Sequence, residues 1–263
     1  TDAYIYQNAG CNTVHELAFT LAQLNEQLHF IQENNLSVVN KKFILITSSS
    51  INFFQNLCKI KALRNLSKFL LKEYGLDNEI FIHANTSLLN KTSKDSYNNL
   101  IRSTIEAMGA VAGGADSVAI TPYNTTSVYN DTNAQRLAIN QMHIFKEEAF
   151  LSKVSDVGAG SFYIETYSEE LEQKAWEKFK KIEDHGGLIQ YCKEGKLTNI
   201  VNADAEKLKS EFISGKKILT GVNKFQNPKE KDSPRIFPPK GNPNGLSMQS
   251  IEEWLTEIKV QHA

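Results

Sequence analysis

The chain has 263 residues, 41% hydrophobic and 22% charged, which is ordinary for a soluble globular protein and enough for one large domain or two small ones. Its formal net charge of -1 leaves no basic excess to neutralise phosphates, so we expect no nucleic-acid partner. No apolar run approaches the roughly 18 residues of a membrane-spanning helix, so we expect no membrane association.

The cysteine and histidine residues indicate a compartment and argue against two kinds of site. Cys11, Cys58 and Cys192 are few, odd in number and widely separated. This usage is typical of a reducing compartment, so we expect a cytoplasmic protein without a disulfide framework or a zinc site. The six histidines form no HxxxH or HExxH pair, and we therefore predict no metal site.

Four units of a strand followed by a helix are predicted in the first half of the chain. The strands are expected at residues 3–10, 41–49, 79–87 and 116–123, and the fourth helix at 131–151. Apolar residues follow the strands at spacings of three and four, as in Val14, Leu17 and Leu21, which is typical of an amphipathic helix. Alternating strands and helices imply a parallel sheet with right-handed crossovers.

The pattern changes after residue 153. Helices are predicted over 168–185, 187–194 and 203–213, with a strand or turn at "KKILTGVNKF". Five of the six prolines lie in residues 228–243, which indicates an extended tail, and a last helix is predicted over 248–260.

The predicted fold class is α/β, built from TIM-barrel-type (β/α) units. Residues 1–152 would form about half a barrel with four parallel strands, residues 153–226 a helical extension of the same domain, and residues 227–263 a Pro-rich tail and terminal helix. A complete (β/α)₈ barrel needs about 250 residues and eight strands. Because the chain opens directly with a predicted strand, we expect an upstream portion to be missing.

Candidate functional residues cluster at the predicted strand ends, where barrel enzymes carry their chemistry. The stretch "GGADSVAITPYNTT" places Thr121 near the end of the fourth strand and Asn124 after it, and His83 and Asn85 lie near the end of the third. These residue types could present polar groups to a ligand, but helix starts and turns prefer the same types. No catalytic triad, carboxylate pair or metal cage is apparent.

Several ordered blocks carry a resemblance to a known family. They read "AYIYQNAG", "SSINFF", "IHANTS", "RSTIEAMGAVAGGADSV" and "LTGVNKF", with a loop-helix block at residues 154–187. Over residues 1–226 the chain resembles the methylmalonyl-CoA mutase family, and it is most similar to the small, non-catalytic subunit of the two-chain bacterial enzymes. The resemblance implies a TIM-barrel substrate domain threaded by acyl-CoA, and a radical interconversion of methylmalonyl-CoA and succinyl-CoA.

The resemblance also implies a substrate pocket of which this chain keeps only part. The first block retains the family's tyrosine as Tyr4 and contains Gln7, but Ile5 stands where the family has a histidine. The family's arginine and serine on the second strand fall on Lys42 and Ile44. Lysine lacks the bidentate fork of arginine, and isoleucine lacks a hydroxyl group.

The third and fourth strands continue this pattern of partial loss. His83 is retained, Asn85 replaces a glutamine, and Thr125 replaces the glutamate that would engage the adenosyl ribose, while Thr121 lies at the end of the fourth strand. The DxHxxG signature that ligates cobalamin is absent from the sequence. The resemblance therefore implies a degenerate substrate and CoA pocket without catalytic residues, no cofactor bound by this chain, and adenosylcobalamin on a catalytic partner.

Three functional hypotheses remain open from the sequence. In the first, the chain is a catalytically silent, structural small subunit that forms a heterodimer with a catalytic large mutase subunit, or else a homo-oligomer. In the second, it is a binding module in which Lys42, His83, Asn85 and Thr121 still hold CoA or a CoA ester. In the third, it is a fragment of an active acyl-CoA mutase, against which Ile5 and Thr125 argue.

Overall fold

A computed structural model describes residues 1–127, 131–229 and 245–261. The predicted Pro-rich tail lies mostly outside these ranges. No helix in the described ranges is long and apolar enough to cross a bilayer.

The described residues form helices around a small sheet. The strands are β1 (Lys42–Ser49), β2 (Glu79–Thr86) and β3 (Ser117–Ala119). The α-helices are α1 (Tyr4–Asn8), α2 (Thr13–Glu33), α3 (Phe53–Glu73), α4 (Asn98–Ala112), α5 (Thr132–His143), α6 (Phe162–Glu183), α7 (Gly187–Lys193), α8 (Lys196–Ile213) and α9 (Ile251–Gln261). A π-helical turn at Ile144–Glu148 continues α5, and a 3₁₀ turn at Leu151–Lys153 follows it.

The sheet is parallel, with strand order β1-β2-β3, and its register aligns Ile46 with His83 and His83 with Ser117. The predicted α/β class is therefore confirmed, and the arrangement is consistent with part of a TIM barrel. Helices α3 and α4 pack against β2. Ile80, Ile82 and Ala84 of β2 are buried, whereas Ile44 on the neighbouring strand is 54% exposed. One face of the sheet is thus covered by helices, and the other remains partly open.

The predicted first strand is wrong in extent, so the sheet has three strands instead of four. In this segment only Asp2 forms a parallel bridge, to Ile46, and the Ala3 N–H donates to the Ile46 carbonyl at 2.8 Å. The chain then turns into α1, because polar side chains bond its backbone locally. The Tyr4 N–H donates to Asp2 Oδ1 at 3.0 Å, and Asn8 Nδ2 donates to the Tyr4 carbonyl at 2.8 Å.

The fourth predicted strand is shorter than expected, because β3 stops at Ala119. The Thr121 N–H donates to the side chain of Thr86 (Oγ1, 2.8 Å), and Pro122 has no N–H to continue a ladder.

Two helices also begin earlier than predicted. α6 begins at Phe162 and α8 at Lys196. Each gains about two turns, because the buried stripe extends backward, through Ile164 in α6 and through Leu197 and Val201 in α8.

The helical extension shares the main core with the strand–helix units. α6 packs against both α2 and α3, and its buried residues Leu171, Ala175 and Phe179 belong to the same apolar cluster as Leu21 and Leu63. A second, smaller cluster joins α9 to α8 through Ile251, Trp254, Leu255 and Phe212, together with Leu89 from the loop after β2. α9 is thereby held near the carboxyl ends of the strands.

Candidate functional site

A polar layer lies at the carboxyl ends of the strands, where the sequence predicted it. The Tyr4 hydroxyl donates to the Thr86 carbonyl at 3.2 Å, and the Thr121 hydroxyl donates to the same carbonyl at 3.3 Å. Burial raises the pKa of Tyr4 to about 12, with the Glu106 carboxylate adding to the rise. Tyr4 and Thr121 are therefore brought together, but each is held by the backbone of Thr86.

Gln7 lies at the centre of a second set of hydrogen bonds in this layer. Its Oε1 accepts from the hydroxyl groups of Ser48 (2.7 Å) and Ser87 (2.8 Å), each of which ends or follows a strand. Neighbouring Asn8, which sequence reasoning missed, accepts at Oδ1 from the N–H groups of Leu88 (2.7 Å) and Leu89 (3.2 Å). Helix α1 thus anchors the loop after β2. The only sequence signal for this role of α1 was the pair of amide side chains, Gln7 and Asn8, inside the predicted first strand.

His83 and Asn85 are separated by one residue in β2, so both side chains point to the same, partly open face of the sheet. His83 Nε2 lies 3.2 Å from Asn85 Oδ1, and its Nδ1 lies 2.6 Å from Ser117 Oγ. Since a carboxamide oxygen can only accept, the network assigns the proton to Nε2, so that Nδ1 accepts from the Ser117 hydroxyl. Both ring nitrogens are therefore engaged within the sheet.

The remaining predicted pocket residues lie outside this polar layer. Lys42 lies at the amino end of β1, where its Nζ donates to Glu79 Oε1 at 2.9 Å on an exposed surface. Ile44 follows it and is largely exposed, whereas Ile5 is partly buried against the main core. Thr125 lies in a turn, in which its N–H donates to the Pro122 carbonyl at 3.1 Å.

Two buried ion pairs contact residues of the polar layer. Lys59 Nζ contacts Glu16 Oε1 at 2.9 Å and also donates to the Ser48 carbonyl, while Thr47 donates to the same carboxylate at 2.8 Å. Sequence reasoning missed Glu16, although a carboxylate inside an apolar helical stripe was a visible signal.

The second pair joins Lys91 Nζ to Glu106 Oε2 at 2.8 Å, and both side chains are 0% exposed. Burial raises the pKa of Glu106 and lowers that of Lys91, while their mutual attraction opposes both shifts. Glu106 also accepts from the Ser87 N–H at 3.2 Å and from Asn90 Nδ2 at 2.6 Å. The pair therefore holds the loop after β2 in addition to the bonds from α1.

The C-terminal segment packs against α1 and the loop after β2. The Gln249 N–H donates to the Asn8 carbonyl at 2.8 Å, and the Ile251 N–H donates to the Leu89 carbonyl at 3.0 Å. The buried Glu252 carboxylate accepts from the N–H groups of Ser93 (2.8 Å) and Lys94 (3.0 Å). These contacts tie α9 and the residues before it to α1 and to the loop after β2.

A cleft of about 480 Å³ opens beside this segment, between the turn that joins α1 to α2, the loops after β1 and β2, and α8. Its lining includes Gln7, Cys11, Glu16, Asn52, Asp204 and Phe212. Of the predicted pocket residues only Gln7 faces it. Asp204 and its neighbours were missed, because they come from a helix that the sequence placed outside the half barrel.

Comparison with known proteins identifies the family. A sequence model described as methylmalonyl-CoA mutase matches residues 1–259. The methylmalonyl-CoA mutase small subunit of Porphyromonas gingivalis is 34% identical over 206 residues, which cover 76% of this chain and 33% of that protein.

Two further relatives agree with this assignment. The small subunit of Streptomyces virginiae is 29% identical over 96% of this chain and 42% of its own length. The methylmalonyl-CoA mutase of Rhizobium meliloti is 29% identical over 85% of this chain and 32% of its own length. The chain thus spans 33% and 42% of the two small subunits. On this evidence the chain belongs to the methylmalonyl-CoA mutase family.

Proposed function

We propose that this chain is the small-subunit-like part of an adenosylcobalamin-dependent methylmalonyl-CoA mutase and is itself catalytically silent. Its role is structural: it associates with a catalytic large subunit that carries the cofactor, in the cytoplasm. The observation that carries this proposal is the state of the polar layer. Tyr4, Gln7, His83 and Thr121 all bond to other protein groups, and Ile5 offers no polar atom.

The residues present do not fit adenosylcobalamin. The segment from Gln249 to Ile251 bonds to Asn8 at the end of α1 and to Leu89 in the loop after β2, next to the polar layer. His83 has both ring nitrogens in hydrogen bonds within the sheet. Thr125, at the position of the family's ribose-binding glutamate, lies in a turn with a shorter, uncharged side chain. We therefore propose that the cobalamin is carried by the partner subunit and not by this chain.

The partly open sheet face supports association with another polypeptide. Ile44 is 54% exposed, and Phe81 and Ile46 beside it are only partly covered. Exposed apolar side chains on a sheet favour burial of that surface against another polypeptide. A catalytic large subunit is the partner that the names of the small-subunit relatives support, and a homo-oligomer is the alternative.

The decisive experiment combines an activity assay with a mass measurement. The purified chain, with adenosylcobalamin and methylmalonyl-CoA, is expected to form no succinyl-CoA. Mixed with a catalytic mutase subunit, it is expected to elute as a stable one-to-one complex in gel filtration with light scattering. Turnover by the chain alone would refute the silent role, and a homo-oligomer that ignores the catalytic subunit would refute the proposed partner.

A second candidate function is a residual binding module for CoA esters. The cleft beside α8 is large enough for part of such a ligand, and Gln7 at its wall connects it to the polar layer. Calorimetric titration with CoA and with methylmalonyl-CoA tests this candidate. No heat and no thermal shift at millimolar ligand would exclude it, whereas saturable binding that is lost on substituting Gln7 by leucine would favour it.

A further inference from the structure

The turn between α1 and α2 makes an unusually close approach to α8. Gly10 has a φ of +95°, and a Cβ at this position would lie 2.6 Å from Ala205 Cβ. Only glycine fits here, because the backbone conformation is left-handed and the space is already occupied. The consequence is that Cys11, Asn12 and His15 lie directly beside Asp204, 189 residues further along the chain than His15.

Three side chains of metal-binding type meet at this contact. His15 Nδ1 lies 2.7 Å from Asp204 Oδ2, and Cys11 Sγ lies 3.7 Å from the same oxygen. The three ligand atoms all lie within 4.8 Å of one another. In a tetrahedral zinc site, with bonds of about 2.3 Å to sulfur and about 2.0–2.1 Å to nitrogen or oxygen, ligand atoms lie about 3.3–3.6 Å apart. The cysteine–aspartate spacing is already close to this value, and the histidine–aspartate spacing needs to open by only about 0.6 Å.

The surroundings resemble those of a metal site that is open on one side. Cys11 is buried, and the side chains of His15 and Asp204 are 18% and 13% exposed. Cys11 and Asp204 lie on the wall of the 480 Å³ cleft, which leaves room for a water or substrate atom as a fourth ligand. Asn12 donates from its backbone N–H (3.0 Å) and from Nδ2 (2.8 Å) to Asp204, in the role of an outer partner that orients the carboxylate.

We propose that Cys11, His15 and Asp204 form a binding site for a divalent transition-metal ion of the zinc class, with a fourth position open to the cleft. A thiolate, an imidazole and a carboxylate are the donor set that favours such an ion over magnesium or calcium. On binding, Cys11 loses its thiol proton, and the metal replaces the proton that Nδ1 of His15 shares with Asp204. Within the described residues no other group of three such side chains meets in this way.

Cobalt(II) is the probe that tests the site, because its absorption reports the ligands directly. The folded 263-residue chain is expected to bind one equivalent of cobalt(II), with a thiolate-to-cobalt charge-transfer band in the near ultraviolet, and zinc(II) should displace it. Cys11→Ser should abolish the band, and Cys192→Ser, which removes an exposed free thiol, should leave it unchanged. His15→Gln and Asp204→Asn should each weaken zinc binding more than about 100-fold, since loss of an outer partner alone costs about 10–100-fold.

Two outcomes would overturn the site. One is a folded wild-type chain that binds no stoichiometric cobalt(II) or zinc(II); the other is a charge-transfer band that survives in Cys11→Ser. If Cys11→Ser does not fold, as judged by circular dichroism, His15→Gln and Asp204→Asn test the proposal instead. Zinc affinities within about threefold of wild type in both folded variants would equally refute the proposal.

Discussion

Glu252 is expected to hold the C-terminal helix to the loop after β2, and its removal gives the sharpest test of the fold at the site. The carboxylate is almost fully buried and accepts from the N–H groups of Ser93 (2.8 Å) and Lys94 (3.0 Å) and from the Ser93 hydroxyl (3.1 Å). Glu252→Ala leaves these donors without their acceptor while keeping the apolar contacts of Trp254 and Leu255.

The expected loss follows from the two backbone hydrogen bonds. A hydrogen bond to a charged group contributes about 1.5–3 kcal/mol, so two of them set an upper range of about 3–6 kcal/mol. Water can reach the half-buried Lys94 N–H in the variant, which offsets part of this loss. We therefore expect the free energy of unfolding to fall by about 3 kcal/mol, toward the lower end of that range.

Urea unfolding followed by circular dichroism measures this loss, and hydrogen exchange locates it. The amides of Ser93 and Lys94 should exchange faster in Glu252→Ala than in the wild type. Glu253→Ala is the matched control, because its side chain is adjacent but only partly buried. A Glu252→Ala variant within about 0.5 kcal/mol of wild type, the usual range for surface substitutions, would refute the reasoning. An equal loss in Glu253→Ala would refute it as well.

Three further predictions concern the contacts behind the site. Gly10→Ala should lower the unfolding midpoint in urea and abolish the near-ultraviolet cobalt band, because its Cβ would collide with Ala205; an unchanged band would contradict the close approach. Burial alone would raise the pKa of Asp204, but hydrogen bonds from His15 and Asn12 outweigh burial and lower the pKa. The ionised Asp204 carboxylate therefore stabilises the folded chain above about pH 4, and this stabilisation is lost as the pH falls below that value. Urea midpoints at pH 6 and pH 3 should therefore differ less in Asp204→Asn than in wild type, and an equal difference would count against the contact. Lys91→Met should lower the free energy of unfolding by about 3–5 kcal/mol, because it leaves a buried carboxylate without its partner. Lys174→Met, in an exposed ion pair, should cost far less in the same urea titration; similar costs would refute the distinction.

The strand–helix alternation and the parallel sheet could be predicted because they depend on local patterns. β1 and β2 agree with the predicted ranges to within one residue at each end, since continuous apolar runs specify buried strands. The first strand could not be predicted in its true extent. Its sequence suits a strand, but Asp2 and Asn8 bond the intervening backbone and favour a helical turn.

The position of the polar layer was visible in the sequence, and most of its hydrogen-bond partners were not. The chain's pattern placed His83 and Thr121 near strand ends, and the carboxyl ends of parallel strands share one edge. Tyr4 was named only through the family resemblance. That Thr86 would accept from both Tyr4 and Thr121 depends on how α1 and the loop after β3 return over the sheet. Such contacts join residues that are 35 and 82 positions apart, beyond the reach of any local pattern.

The sequence by itself determined the family and the α/β class, because each depends on residue identity and order. Only the tertiary structure decided that the segment from Gln249 to Ile251 bonds to Asn8 and Leu89, and that Cys11 and His15 meet Asp204. The physical reason is the left-handed turn at Gly10, which lets α8 approach closely enough to bring the distant carboxylate to the thiol and the imidazole. No spacing of cysteine and histidine along the chain records that approach.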